Sequence, residues 1–174
     1  LNTGKVLSGI DFDEIYSSPL KRAAETAKTI EKSLKKDYQI IYDKNLLEVD
    51  LSSWSGMTFD EIKHKFPEMY DIWKNDPEKL ILERNDNSTY KPIEELYNQA
   101  NNFVENILIN ISENNNKNIL IVGHNAIIRC LILSLIGKPK RGLRKIRLDN
   151  ASLSIINISK EKNNYKTQLE CLNQ

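Results

Sequence analysis

Histidine and cysteine are scarce in this chain. Its 174 residues hold two of each, His64 and His124, Cys130 and Cys171. Zinc sites take three or four clustered protein ligands, so no metal and no cofactor is expected. Cys130 falls in an apolar helical run and Cys171 in a late strand-like segment. They read as two reduced core or near-core thiols rather than a disulfide framework, which points to the cytoplasm. An excess of one charge is also missing. Lys and Arg number 25 against 24 Asp and Glu, a net of +1, so nothing suggests a nucleic-acid partner. No basic amphipathic helix suggests a membrane surface. The longest apolar stretches, residues 118–122 and 126–136, are interrupted by Gly123-His124-Asn125 and by Arg129. Neither approaches the roughly 18 residues of a membrane span. HExxH, GxxxxGK[ST] and GxGxxG do not occur, and no signal-peptide pattern opens the chain.

What is present is an alternation of short β-rich runs and helical runs, with 40% apolar and 28% charged residues. Glu14-Ile15-Tyr16-Ser17 reads as a strand. Ser18-Pro19 then predicts an N-cap followed by proline at the first helical position. Leu20, Ala23, Ala24, Ala27, Ile30 and Leu34 mark the apolar face of the helix that follows. Residues 38–42 read as a second strand and 45–56 as a loop. Residues 58–65 and 68–74 read as helices separated by Phe66-Pro67, and 80–91 as an irregular surface excursion. A helix runs from Pro92 through Ile111, ended by the turn 114–116. Residues 118–122 form a continuous apolar run suited to a strand buried on both faces. Residues 126–136 read as a helix closed by Gly137. Residues 144–148, 152–158 and 165–172 read as strands, the last two joined as a hairpin by the polar turn 159–164. The whole predicts one α/β domain over residues 1–174: three layers, α/β/α, with a mainly parallel, doubly wound sheet and an antiparallel edge.

In such a sheet ligands bind beyond the carboxyl ends of the strands. Two strand-to-helix junctions carry titratable groups there. Arg22 falls in the first turn of its helix, where a cation opposes the helix dipole at a cost of roughly 0.3–1 kcal/mol; its side chain leans back over the strand ends. It is either a solvated surface arginine or a ligand for an anion that offsets this cost. His124 sits on a Gly-His-Asn turn after the buried strand and is either structural or at a sheet-mouth site. His64, in a Lys-His-Lys stretch of a polar helix, reads as solvated. Glu48 follows Leu46-Leu47 with Trp54 nearby. A carboxylate in apolar company is pushed toward its protonated form, which suits a general acid. An exposed loop glutamate is the plainer reading, and Asp50 is a rival for the role.

Three blocks resemble the histidine phosphatase superfamily, in its phosphoglycerate mutase-like branch. Residues 13–27, Asp-Glu-Ile-Tyr-Ser-Ser-Pro-Leu-Lys-Arg-Ala-Ala-Glu-Thr-Ala, look like the family's block whose arginine binds phosphate, here Arg22. Residues 46–56 are similar to its acid-bearing loop, and the acid maps onto Glu48. Residues 121–129 match the block holding the second active-site histidine, His124, with Asn125 beside it as a further phosphate contact. Residues 148–153 resemble the late strand entry. The resemblance covers essentially the whole chain. It implies a metal-independent phosphomonoester hydrolase that acts on a small phosphorylated metabolite through a phosphohistidine intermediate. The segment 66–77 is similar to the α-ribazole phosphatase group and to broad-specificity relatives.

Residues 1–174 depart from the family at three points. The Arg-His-Gly motif that carries the nucleophilic histidine is absent. Leu1-Asn2 runs straight into Thr3-Gly4-Lys5-Val6-Leu7, without the family's intervening Gly and Gln-Ala. Lys91-Pro92-Ile93 stands where the family often has Gly-Glu-Ser. The natural chain is therefore expected to be longer, with Arg-His-Gly before Leu1. Two alternatives stay open: phosphoryl transfer of the mutase type, and a non-catalytic binder of phosphate ligands.

Overall fold

The computed structural model of the chain describes residues 2–109, 111, 116–162 and 164–174. In chain order the elements are α1 (Asn2–Leu7), β1 (Glu14–Ser17), α2 (Lys21–Glu31), β2 (Ile40–Tyr42), α3 (Phe59–Lys65), α4 (Pro67–Asn75), β3 (Leu82–Glu83), β4 (Thr89–Tyr90), α5 (Pro92–Ile109), β5 (Ile119–Val122), α6 (Asn125–Leu135), β6 (Ile155–Glu161) and β7 (Asn164–Cys171). Single turns of 3-10 helix interrupt the loops, among them Lys44–Leu46, Ser52–Trp54 and the longer Lys140–Lys145.

β1 lies between β2 and β5 and runs parallel to both. Its alternation buries Ile15 against one layer of helices and turns Tyr16 toward the other. On the Ile15 side, Leu7 of α1, Ala27 and Ile30 of α2, and Leu120 and Val122 of β5 form the smaller core. Leu96, Ala100 and Phe103 of α5 and Ile127 and Leu131 of α6 belong to the larger core on the other side. Tyr16 meets Phe103 there edge to face at 5.3 Å. Strands between two helical layers give the α/β/α arrangement expected, and the short parallel strands end together at Ser17, Tyr42 and Val122. β6 and β7 pair antiparallel as foreseen. Among the described residues they form a sheet of their own rather than a bonded edge of the parallel one.

Several boundaries move for local reasons. α2 begins at Lys21, not after Ser18, because Ser18 and Pro19 stay outside the helix and Leu20 takes the cap position, extended and without a side-chain bond. α3 starts where a capping box closes, with Thr58 accepting from Glu61 N and Glu61 accepting from Thr58 N. Residues 80–91, expected to be irregular, contain the two-residue strands β3 and β4. Residues 144–148, expected to be a strand, are not one. The 3-10 turns hold Leu143 in the larger core, and Ile146 and Leu148 then alternate inward without a partner strand among the described residues. Residues 114 and 115 of the predicted turn, residue 1, the side chain of residue 2 and residue 163 lie outside what is described. Among the described residues no helix is long and apolar enough to cross a membrane.

Candidate active site

Ser17 and Val122 are register partners at the carboxyl ends of β1 and β5. The residues that follow them therefore meet. Ser18 N donates to Val122 O at 3.0 Å, which holds the two exits together. Gly123 keeps the second exit tight: a Cβ there would lie 3.0 Å from Ile128 Cδ1 and 3.3 Å from its Cγ1, so the Ile128 side chain would have to yield. His124 then caps α6 in an extended conformation. Its side chain is turned into the junction and is 7% exposed.

Both nitrogens of the ring are engaged. Arg22 Nε donates to Nδ1 at 3.0 Å, and Nε2 stands 2.9 Å from Ser18 Oγ. Burial, and then the Arg22 guanidinium, push the His124 pKa below its usual value, with Glu48 pulling weakly the other way. The ring is accordingly neutral near pH 7. Since Nδ1 accepts from Arg22, the single ring proton sits on Nε2 and is donated to Ser18 Oγ. Arg22 is exposed as a residue and lines the adjoining cleft. No bond to its two terminal nitrogens is found among the described residues. A guanidinium fixed at Nε and open at its fork is suited to a tetrahedral oxyanion.

Glu48 comes from the loop between the 3-10 turns and reaches the same place from across the cleft. Its Oε1 accepts from Val49 N at 3.0 Å, and its Oε2 from Ala126 N, in the first turn of α6, at 3.4 Å. The carboxyl group thus stands at the helix end that carries His124, half-buried above Leu46 and Trp54. Trp54 is held edge-on to Trp73 at 6.2 Å. Asp50 faces the same cleft, but its Oδ1 accepts from Ser52 N at 2.9 Å, two residues on, and the residue is exposed. The cleft has a volume of about 580 Å³ and runs from Arg22 and Glu48 to an apolar wall that includes Leu51, Met57, Phe59 and Ile62.

Arg22, His124 and Glu48, named from the sequence, are therefore brought together. Asn125 sits beside them, but its side-chain amide is engaged by Leu148 O at 2.8 Å; what it offers an anion is its main-chain N–H at the helix start. His64 lies exposed on α3. Ser18 is the residue that sequence reasoning misplaced: read as a helix cap, it is fully buried and orients His124. The two free thiols stand apart from the cleft lining, and burial pushes Cys130 up to about 12. Among the described residues no cluster of three or more His, Cys, Asp or Glu could hold a metal.

The sequence profile described as "Histidine phosphatase superfamily (branch 1)" matches residues 2–170. Phosphoserine phosphatase 1 of Hydrogenobacter thermophilus is 29% identical over 157 residues, covering 90% of this chain and 70% of that protein. A probable 2-carboxy-D-arabinitol-1-phosphatase of Arabidopsis thaliana is 32% identical over 145 residues, 83% of this chain but 28% of that much longer protein. Among solved structures, a putative alpha-ribazole-5'-P phosphatase from Escherichia coli superposes with a TM-score of 0.80 at 23% identity, covering 99% of this chain and 79% of that one.

Proposed function

The chain belongs to the histidine phosphatase superfamily, and from that premise we propose that it hydrolyses phosphomonoesters of a small metabolite through a phosphohistidine, with Arg22 holding the phosphoryl group, His124 fixing the Arg22 guanidinium beside it, and Glu48 as general acid. The observation that carries this reading is the meeting of three groups at one sheet edge: an arginine fork, a neutral histidine and a carboxyl group at the same helix end. The named relatives act, by their names, on different phosphate esters; what transfers here is the ester bond, not the alcohol.

A histidine outside residues 1–174 attacks phosphorus. The chain's own histidines are poor nucleophile candidates, since His64 is remote and exposed and His124 has both ring nitrogens occupied. β5 pairs with β1 on one side, and its other edge carries no strand among the described residues. As the N–P bond forms and the P–O bond breaks, charge on the equatorial oxygens is met by Arg22 and by the N–H groups of the α6 start. Glu48 gives its proton to the departing alcohol. Glu48 then takes a proton from water, the water oxygen attacks phosphorus, the N–P bond breaks, and inorganic phosphate leaves. The free thiols of Cys130 and Cys171 support a cytoplasmic setting.

The test is hydrolysis of p-nitrophenyl phosphate by the full-length protein in excess EDTA, with quenching in alkali to trap the labelled intermediate. Undiminished activity and an alkali-stable, acid-labile phosphoprotein are expected. Loss in EDTA with recovery on adding zinc or magnesium would overturn the reading.

A further inference from the structure

With the phosphoryl group at Arg22, the leaving alcohol has one direction open to it, along the cleft past Glu48. The chemistry of that path is lopsided. Arg22 is the cleft's single cationic residue among those described, and phosphate claims it. Glu48 and Asp50 are the charged groups beyond it, and both are carboxyls. Ser52 and Ser55 are the uncharged polar residues of the wall, and the rest is apolar, with Leu51, Trp54, Met57 and Phe59 among it. Phe59 opens α3 and keeps 61% of its surface exposed, although its ring has a neighbour in Tyr70 at 6.4 Å. A large aromatic side chain left this open at the lip of a site, next to further apolar surface, marks a place where another apolar group is buried.

Two arginines among the described residues feel these carboxyls without lining the cleft. Arg84, close enough to feel Asp50, is clamped by both oxygens of Glu95 at 2.7 Å and stacked on Tyr90 at 4.0 Å. Arg129 feels Glu48 from one turn further along α6. Its Nε is buried without a partner, and it does not line the cleft.

We propose that this cleft selects phosphomonoesters whose alcohol is uncharged and apolar, an aromatic or branched alkyl group laid on Phe59, and rejects alcohols that carry a carboxylate or a second phosphate. An apolar leaving group gains by covering Phe59, Met57 and Leu51. A carboxylate in the same position would face Glu48 and Asp50 and find no free donor fork. The inference rests on the phosphatase reading only for the position of the phosphate.

Non-hydrolysable phosphonates separate the two. Binding of 3-phenylpropylphosphonate and 3-carboxypropylphosphonate to the full-length protein is followed by the emission of Trp54 and Trp73, and also by competition with p-nitrophenyl phosphate hydrolysis. The phenyl compound is expected to bind about tenfold or more tightly than the carboxylate. Phe59→Ala should remove most of that margin and leave inorganic phosphate affinity unchanged. Phe59 is exposed, so the variant is expected to fold. Equal binding of the two compounds, or a margin untouched by Phe59→Ala, overturns the proposal. So does preference for the carboxylate, above all if Arg129→Met abolishes it, since Arg129 would then be an anion ligand. If the phenyl preference appears without hydrolysis, the phosphatase reading fails and the cleft assignment stands. If hydrolysis proceeds with the preference reversed, the cleft assignment fails alone.

Discussion

At the carboxyl ends of β1 and β5 the side chains have little freedom. Ser17 and Ser18 are fully buried, His124 is held at both nitrogens, and a Cβ at Gly123 would crowd Ile128. Across the cleft, residues 46–62 are single turns and one short helix. Asp50 and Phe59 are exposed there, Gly56 takes a positive φ of 79°, and Glu48 is tethered by one ordinary bond and one long one. The first region is set by strand register, which the core imposes; the second is set by loop side chains. Fixed donors are what a phosphoryl group needs, since it is the same in every substrate. A loosely held wall is what a variable alcohol needs, and a general acid on a short tether can follow its leaving oxygen.

The largest expected effects fall on the rigid side. Arg22→Ala and His124→Ala should each abolish turnover, by on the order of 10³-fold or more. Each should also weaken inorganic phosphate and vanadate binding, measured by calorimetry. Ser18→Ala leaves His124 Nε2 without its acceptor and should give a smaller loss through misplacement of the ring. Near-normal phosphate binding in Arg22→Ala or His124→Ala would place the anion elsewhere and dissolve the contrast between the two regions.

The next effect belongs to the loop side and depends on the leaving group. Glu48→Gln keeps size and removes the proton. Single-turnover cleavage of an alkyl phosphate should slow by about 10²–10⁴-fold. An aryl phosphate, whose phenolate departs unaided, should lose far less. Phosphate affinity should barely change, because Glu48 is not assigned to the phosphoryl oxygens. Asp50→Asn is expected to do little on either substrate, since that carboxylate is engaged by Ser52 N. The selective pattern in Asp50→Asn and its absence in Glu48→Gln would move the acid two residues along the loop.

The two regions also differ in how far they were legible. The rigid one could be read because strand, turn and helix follow each other within a few residues. In Ile-Leu-Ile-Val-Gly-His-Asn a buried run, a glycine and a titratable group fix their own relative placement. Ser18 escaped because Ser-Pro satisfies the local rule for a helix start, while its actual partner, His124, is 106 positions away. The helix yields two residues so that the hydroxyl can serve the ring. The segment 144–148 misled for a related reason: Ile146 and Leu148 alternate as a strand would, but they are anchored to the core rather than paired to a neighbour. In the loop, the resemblance pointed to Glu48, while local sequence left Asp50 as a rival. What favours Glu48 is its tertiary bond to Ala126 N.

The smallest expected effect concerns the proton on His124. The contrast predicts that acid sensitivity near neutrality resides in the rigid region. His124 has a folded-state pKa below its ordinary 6.5, caused first by burial and then by Arg22. In the window between those two values the unfolded chain binds a proton that the native protein does not. Stability is therefore full above about 6.5 and is lost as pH falls toward the folded-state pKa, with a slope of at most about 1.4 kcal/mol per pH unit for one proton. The carboxylates with lowered pKa, Glu14 beside Lys117, Glu61 beside Thr58, Asp86 beside Ser88 and Asp149 beside Asn173, have the opposite ionisation but the same sign of effect. Their contributions are present above the ordinary carboxylate range and vanish only below it, at lower pH than the histidine window. Urea midpoints between about pH 5 and 7, in phosphate-free buffer, thus isolate the histidines, of which residues 1–174 hold two. His124→Gln should flatten the profile. His64→Ala, a change on an exposed helix end, should shift the midpoint by no more than about 0.5 kcal/mol in free energy, preserve the wild-type slope and leave turnover intact. A flattened slope in His64→Ala with an unchanged one in His124→Gln would put the titrating proton on α3, and the neutral, doubly bonded ring at the strand ends would have to be given up.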